Sequence, residues 1–139
     1  MLFRSDIGWQ DHPDYRAEHA FWRILHLPVV AIEHRERALL ALTVHVRYHG
    51  HIEADLLASV RSLLAPGDAE AALTLGLALR LGYTLAGGDS HALADVRLAT
   101  ERRNLSLTFR GERRKLAGDV VGRRLEALSD ALKNVGKIK

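Results

Sequence analysis

The chain has 139 residues, 47% of them hydrophobic, which is enough to bury one core, so a single compact domain is expected. It contains no cysteine, which excludes disulfides, thiolate metal sites and cysteine nucleophiles and fits a reducing cytoplasm. The formal net charge is only +3, a balance that permits an anionic partner without requiring one.

The spacing of apolar residues predicts a series of amphipathic helices in the first part of the chain. Residues 2–8 are interpreted as the end of a helix whose start lies upstream. The following helices are expected over residues 13–26, 33–49, 52–64 and 69–86. The most apolar segment, residues 71–86, is interrupted by Thr74, Arg80 and Thr84 and is too short to span a membrane. A cytoplasmic protein without membrane contact is therefore expected.

The spacing of apolar residues changes from a helical period to a strand period after the flexible segment 87–90. Apolar and polar residues alternate over residues 96–98 and 105–109, which predicts a β-hairpin whose turn is Arg102, Arg103 and Asn104. A last amphipathic helix is expected from Gly118 to Lys133, and the tail from Asn134 is expected to be frayed. The predicted fold class is mainly α: a helical bundle over residues 1–88, followed by a small antiparallel hairpin and a C-terminal helix over residues 89–139 that pack with the bundle as one unit.

Four short motifs stand in a characteristic order: SDIGW at 5–9, HPDYR at 12–16, VRYH at 46–49 and LALRLGY at 77–83. With this order and spacing the chain resembles the C-terminal, HD-domain-like region of the exopolyphosphatase and guanosine pentaphosphate phosphatase family. The resemblance covers essentially the whole chain. It implies an HD-domain-like bundle that is truncated at its N-terminus.

The resemblance also implies a function. Complete members have two N-terminal domains with a phosphate-binding loop, a catalytic carboxylate and a Mg²⁺ site, and nothing in this sequence resembles those domains. The chain is therefore expected to be a polyphosphate-binding and dimerisation module of an exopolyphosphatase, without catalytic residues or a cofactor of its own. Its expected partners are polyphosphate or a phosphorylated guanosine nucleotide, the missing catalytic domains, and a second copy of the chain. Mg²⁺ is implied only for the complete enzyme.

HD-type metal chemistry is disfavoured by the residues at the expected ligand positions. Ser5 replaces the paired histidine, Asp6 remains, and Tyr83 stands where a late aspartate is needed. A metal ion needs several imidazole or carboxylate ligands converging on one point, which Asp6 alone cannot supply.

Phosphate contacts are predicted on the first complete helix. His12, Arg16, His19 and Arg23 follow one another at i, i+4, i+7 and i+11, which places them on one arc of a helix opposite its apolar side. Guanidinium and imidazole groups suit a polyanion because both donate hydrogen bonds to phosphate oxygens. The alternative is an ordinary solvated helix face.

Arg47 and His49, at the end of the second helix, complete the predicted phosphate-binding set. Their alternative role is a favourable interaction with the helix dipole. A metal site built from His45, His49 and His12 is a further alternative, because His45 and His49 have the i, i+4 spacing of a helical chelate. The segment shows no carboxylate at a matching spacing to complete or orient such a site, so histidines packed beside apolar neighbours are expected instead.

Two other functions remain open from the sequence. One is a free-standing HD-type metal-dependent phosphohydrolase, and the other is a small basic nucleic-acid-binding protein. The abrupt start at Leu2 also suggests an exposed apolar surface, which favours self-association as a homodimer.

Overall fold

The computed structural model describes residues 7–101, 104–111, 118–133 and 135–138. Contacts divide the chain into two compact units, one ending at Leu77 and the other beginning at Ala78. Among the described residues, none of the helices combines the length and apolar character needed to cross a bilayer. Ser5 and Asp6, the hairpin turn at Arg102 and Arg103, and most of the predicted N-terminal helix end lie outside the described residues.

The helices predicted in the first part of the chain are present. They are α1 (Arg16–Leu25), α2 (His34–His49), α3 (Ala54–Val60) and α4 (Asp68–Ala86), with a 3₁₀ turn at Arg61–Leu63 after α3. Helix α1 begins later than predicted, because the amides of Tyr15 and Arg16 both donate to the carbonyl of His12 and form a separate turn around Pro13. The third helix is shorter than predicted because it continues as the 3₁₀ turn.

Helix α2 is the central element of the first unit. Glu33 and Glu36 close a capping box at its start, with a bond of 3.0 Å from the Glu33 amide to the Glu36 carboxylate. At its end Gly50 adopts φ 102°, a left-handed conformation that glycine reaches without strain. The chain therefore turns sharply after His49.

The core of the first unit is formed by apolar side chains from all four helices. Its buried members are Phe21, Ala38, Ala41, Leu42, Leu56, Val60 and Ala72. Helix α4 comes so close to α2 that a Cβ atom placed on Gly76 would lie 2.5 Å from the Cβ of Val46.

An ion pair fixes the start of α4. Arg35 donates two hydrogen bonds, of 2.8 and 2.9 Å, to the carboxylate of Asp68, which also accepts a bond of 2.8 Å from the amide of Ala65. The hydrogen bond from Arg35 is the main reason why the pKa of Asp68 falls to about 2. The carboxylate thus remains ionised well below its usual range.

The second unit contains the predicted hairpin and closing helix. Strands β1 (Val96–Glu101) and β2 (Asn104–Phe109) pair antiparallel, with Leu98 opposite Leu107, and α5 covers Asp119–Ala131. The mainly helical fold with an antiparallel hairpin and a final helix is confirmed.

The prediction of a frayed tail is wrong for residues 135–138. They form strand β3 (Val135–Ile138), which pairs parallel with β2 and extends the sheet to the order β1-β2-β3. Lys133, with φ 55°, follows the end of α5, and the tail then satisfies backbone groups on the free edge of β2. Gly136 permits the approach, because a Cβ atom there would lie 2.8 Å from the hydroxyl of Ser129 in α5.

Candidate functional site

A groove of about 460 Å³ lies where the start of α1 meets the end of α2. It is lined by Pro13, Asp14, Arg16, Ala17, Tyr48 and His49. The structure thus brings together Arg16 and His49, two of the six predicted phosphate-binding residues, although 33 positions separate them in the sequence.

Arg16 is held in place by backbone carbonyls. Its guanidinium donates to the carbonyl of Asp11 at 3.0 and 3.3 Å and to that of Trp9 at 3.2 Å, and lies 5.7 Å from the centre of the Tyr48 ring. These acceptors are uncharged, so they orient the guanidinium without cancelling its positive charge. The same hydrogen bonds connect the turn at residues 8–11 to the first residue of α1.

Tyr48 is the groove residue that contacts Arg47. Its hydroxyl accepts a hydrogen bond of 3.1 Å from the Gly8 amide, and the guanidinium carbon of Arg47 lies 4.2 Å from its ring centre. Arg47 is only 7% exposed and does not line the groove. Of the two residues predicted at the end of α2, only His49 therefore lines the groove.

The other predicted residues of α1 are arranged around Asp11. This carboxylate accepts a bond of 2.9 Å from Arg23, and its second oxygen lies 3.9 Å from the Nδ1 atom of His19. Arg23 also donates to the carbonyl of Ile7 at 3.2 Å. The positive charge on this side of α1 is therefore partly balanced by Asp11.

The predicted single helical arc needs one correction. His12 precedes α1 and does not lie on the helix, because the chain forms a turn between residues 12 and 16. Its imidazole is exposed and lies 3.6 Å from the carboxylate of Asp14, at the rim of the groove. The sequence pattern missed Asp11 for a related reason: it stands before the helix, where helical spacing does not apply.

A second cluster lies beside the groove, at the end of α2. His45 and His49 are stacked with ring centres 5.3 Å apart, and the Nδ1 atom of His49 lies 3.2 Å from a carboxylate oxygen of Glu53. Ligand atoms of all three residues lie within 4.8 Å of one another. The expectation that no carboxylate has a matching spacing is wrong. Glu53 follows the turn at Gly50. It is the third member of the cluster, where the sequence suggested His12.

His45 is completely buried, and among the described residues neither ring nitrogen has a hydrogen-bond partner of normal geometry, although the backbone of His51 lies close to the ring. Burial lowers the pKa of His45, and the neighbouring His49 and His51 side chains lower it further, while Glu53 and the His51 backbone oppose this effect. The imidazole is therefore neutral at physiological pH.

This cluster does not fit Mg²⁺. The ion prefers six oxygen ligands in octahedral geometry, whereas the cluster supplies two nitrogens and one carboxylate. Within the part of the chain that the structure describes, this cluster is the only group of three or more histidine and carboxylate side chains at metal-binding distance.

Comparison with known proteins agrees with the resemblance seen in the motifs. Residues 2–136 match the family described as "Exopolyphosphatase, C-terminal". No curated protein sequence matches the chain. Since the family match extends over nearly the whole sequence, the chain belongs to the exopolyphosphatase C-terminal family.

Proposed function

We propose that this chain binds inorganic polyphosphate, or the phosphates of a phosphorylated guanosine nucleotide, for an exopolyphosphatase whose catalytic domains are not part of it. The observation that supports this most directly is the groove in which Arg16, Tyr48 and His49 converge. All three can donate hydrogen bonds to phosphate oxygens, and they lie on two helices packed against each other.

The groove is suited to an extended polyanion because its main cation is oriented in advance. Arg16 is fixed by three hydrogen bonds to carbonyls, so little side-chain entropy would be lost on binding. His49 adds a hydrogen-bond donor at the end of α2.

The remaining predicted residues extend this surface in both directions. His12 lies at the rim beside Asp14, and His19 and Arg23 continue along α1 around Asp11. A chain of phosphates that leaves the groove along α1 would compete with Asp11 for these cations. We therefore assign them weaker contacts than Arg16 and His49.

Hydrolysis of the terminal phosphoanhydride belongs, in this proposal, to the catalytic domains. The Mg²⁺ implied by the family resemblance is placed there as well, because the side chains described here do not fit it. The contribution of this chain is to hold the polyanion.

Polyphosphate affinity tests the proposal. In the double variant Arg16→Ala, His49→Ala, we expect weaker binding and a smaller slope of log affinity against log salt, by roughly 0.7 for each lost contact. The measurement is a fluorescence titration with polyphosphate at several salt concentrations and about pH 6, where imidazoles carry substantial charge. The protein is treated with a chelator beforehand, and circular dichroism verifies that the variant remains folded.

The matched control is Arg61→Ala, His91→Ala, which removes one guanidinium and one imidazole from exposed positions outside the groove. Its affinity and salt slope should remain close to those of the parent. Equal losses in both double variants would mean that binding depends on net charge alone, and the groove would not be the site.

We also propose that the chain pairs with a second copy. A groove of about 550 Å³ is lined by Ala31, Ile32, Arg35, Glu36, Leu39 and Leu40. The adjacent Val30 is fully exposed, and Leu40 is 41% exposed. Apolar side chains grouped in this way favour association.

Sedimentation equilibrium should show a monomer–dimer equilibrium that the double change Val30→Ser, Leu40→Ser weakens roughly tenfold or more. Leu98→Ser, Val120→Ser, which alters two residues of the other unit that are each 45% exposed, should have little effect. A parent chain that stays monomeric over a wide concentration range would contradict the proposal.

A further inference from the structure

The cluster of His45, His49 and Glu53 has properties that polyphosphate binding does not explain. A buried imidazole normally satisfies at least one of its nitrogens with a hydrogen bond. His45 is fully buried and has neither nitrogen satisfied, although two side chains capable of binding a metal lie beside it.

Helix α2 and the turn that follows it bring the three residues of this cluster together. His45 and His49 are one turn apart on α2, so their rings project from the same side of the helix. The left-handed turn at Gly50 then lets Glu53 return to within 3.2 Å of His49. Glu53 is also the N-cap residue of α3, so the start of that helix fixes its backbone position.

We propose that His45, His49 and Glu53 bind a divalent transition-metal ion of the Zn²⁺ type. Two histidines and one glutamate are a known ligand set for zinc, with ligand distances of about 2.0–2.2 Å and a fourth position left for an exogenous oxygen. Such distances require the ligand atoms to lie about 3.3 Å apart in a tetrahedral site. One pair is already at 3.2 Å, and the complete set is within 4.8 Å, so modest side-chain rotations would close the site.

The surroundings of the three side chains agree with this proposal. His45 is buried, so a metal ion bound to it would be largely shielded from bulk water. Coordination would also satisfy a nitrogen that otherwise has no hydrogen bond. His49 and Glu53 are 38% and 43% exposed, which provides a path from solvent to the site.

The competing explanation is an ordinary pair between His49 and Glu53 beside a core histidine. It accounts for the distance of 3.2 Å, but it leaves both nitrogens of His45 unsatisfied in the interior. Metal binding accounts for all three residues together.

Cobalt(II) provides a direct test, because its visible absorption is strong in four- or five-coordinate sites and weak in octahedral ones. The full chain, freed of metal by a chelator, should bind one equivalent of Co²⁺ with intense visible bands. Zn²⁺, which binds nitrogen and oxygen ligands more tightly than Co²⁺, should abolish these bands, and Mg²⁺ should leave them unchanged.

Glu53→Gln and His49→Ala identify the ligands while leaving the buried His45 in place. Each should weaken Co²⁺ binding by more than the roughly tenfold to hundredfold that changes outside the coordination sphere cost. His34→Ala removes an exposed histidine from the first turn of the same helix and should leave the Co²⁺ titration unchanged.

Two results would overturn the inference: a parent chain without the intense bands, or ligand variants that bind Co²⁺ as tightly as the parent. The titrations contain no polyphosphate, whereas the polyphosphate measurements are made on chelator-treated protein. A negative Co²⁺ titration would therefore leave the proposed polyphosphate binding unaffected. A negative polyphosphate titration would likewise leave the metal site unaffected.

Discussion

Replacing Gly76 by alanine is expected to lower the free energy of unfolding by about 1–3 kcal/mol, the usual cost of forcing atoms into a packed interior. A Cβ atom at this position would lie 2.5 and 2.6 Å from the Cβ and Cγ1 atoms of Val46 and 2.7 Å from the carbonyl oxygen of Thr43. The Cβ of Val46 and the carbonyl oxygen of Thr43 are fixed to the backbone of α2, so they cannot move away without displacing the helix.

Gly122→Ala is the matched control. It is also a glycine inside a helix, but a Cβ atom there would meet no atom of the described residues within 4 Å. This substitution should stabilise the protein by about 0.5–1 kcal/mol, because alanine loses less backbone entropy in a helix than glycine does. Urea unfolding of the parent and both variants measures the difference. Equal stabilisation in both would show that α4 does not approach α2 so closely.

The same contact has a consequence for the candidate site. Val46 lies immediately before the segment of α2 that contains Arg47, Tyr48 and His49, so a displaced helix would move one wall of the groove. The structure therefore links packing at Gly76 with the geometry available to a phosphate chain.

The helices could be predicted from the sequence because their signals are local. Apolar periodicity and the glycine at position 50 each act within a few residues, and the predicted helices and hairpin follow one another in the expected order. The start of α1 was not predicted correctly, because Pro13 lies in a turn that precedes the helix. The amides of Tyr15 and Arg16 both donate to the carbonyl of His12 in that turn, at 3.1 and 3.0 Å.

Strand β3 could not be predicted in the same way. Residues 135–138 are too short for a clear period, and their conformation depends on the free edge of β2, more than 25 positions earlier in the chain. A parallel strand next to a hairpin depends on tertiary contacts that the local sequence does not encode.

The residues of the candidate site could be predicted only in part, because some of them lie outside helices. Helical spacing correctly grouped His45 with His49, yet it could not include residues that reach the site from outside a helix. Asp11 approaches α1 from the preceding turn, and Glu53 approaches α2 after a left-handed glycine. Carboxylates a few residues outside either end of a helix are therefore the sequence signal that points to both residues.

The 139-residue chain, incubated alone with long-chain polyphosphate and Mg²⁺, is expected to release no phosphate above a buffer blank. An active enzyme would typically turn over about 1–1,000 times per second, so the expected difference is very large. Phosphoanhydride hydrolysis requires oxygen ligands for Mg²⁺ and a group that positions the attacking water. The cluster at the end of α2 supplies two nitrogens and one carboxylate, and the sequence has no glycine-rich phosphate loop.

Phosphate release is measured with increasing amounts of protein, first with Mg²⁺ and then with Co²⁺ or Zn²⁺. The variant Glu53→Gln, which leaves the groove residue His49 in place, is measured in parallel, because it separates the chain's own activity from that of a contaminant. Turnover that persists equally in this variant would come from a contaminating phosphatase or from a site elsewhere in the chain, and repurification to constant specific activity would separate these two sources. Turnover that scales with the parent and disappears in the variant would contradict the prediction. The cluster would then be a metal-dependent phosphohydrolase site, and the free-standing enzyme considered from the sequence would replace the binding module as the function of this chain.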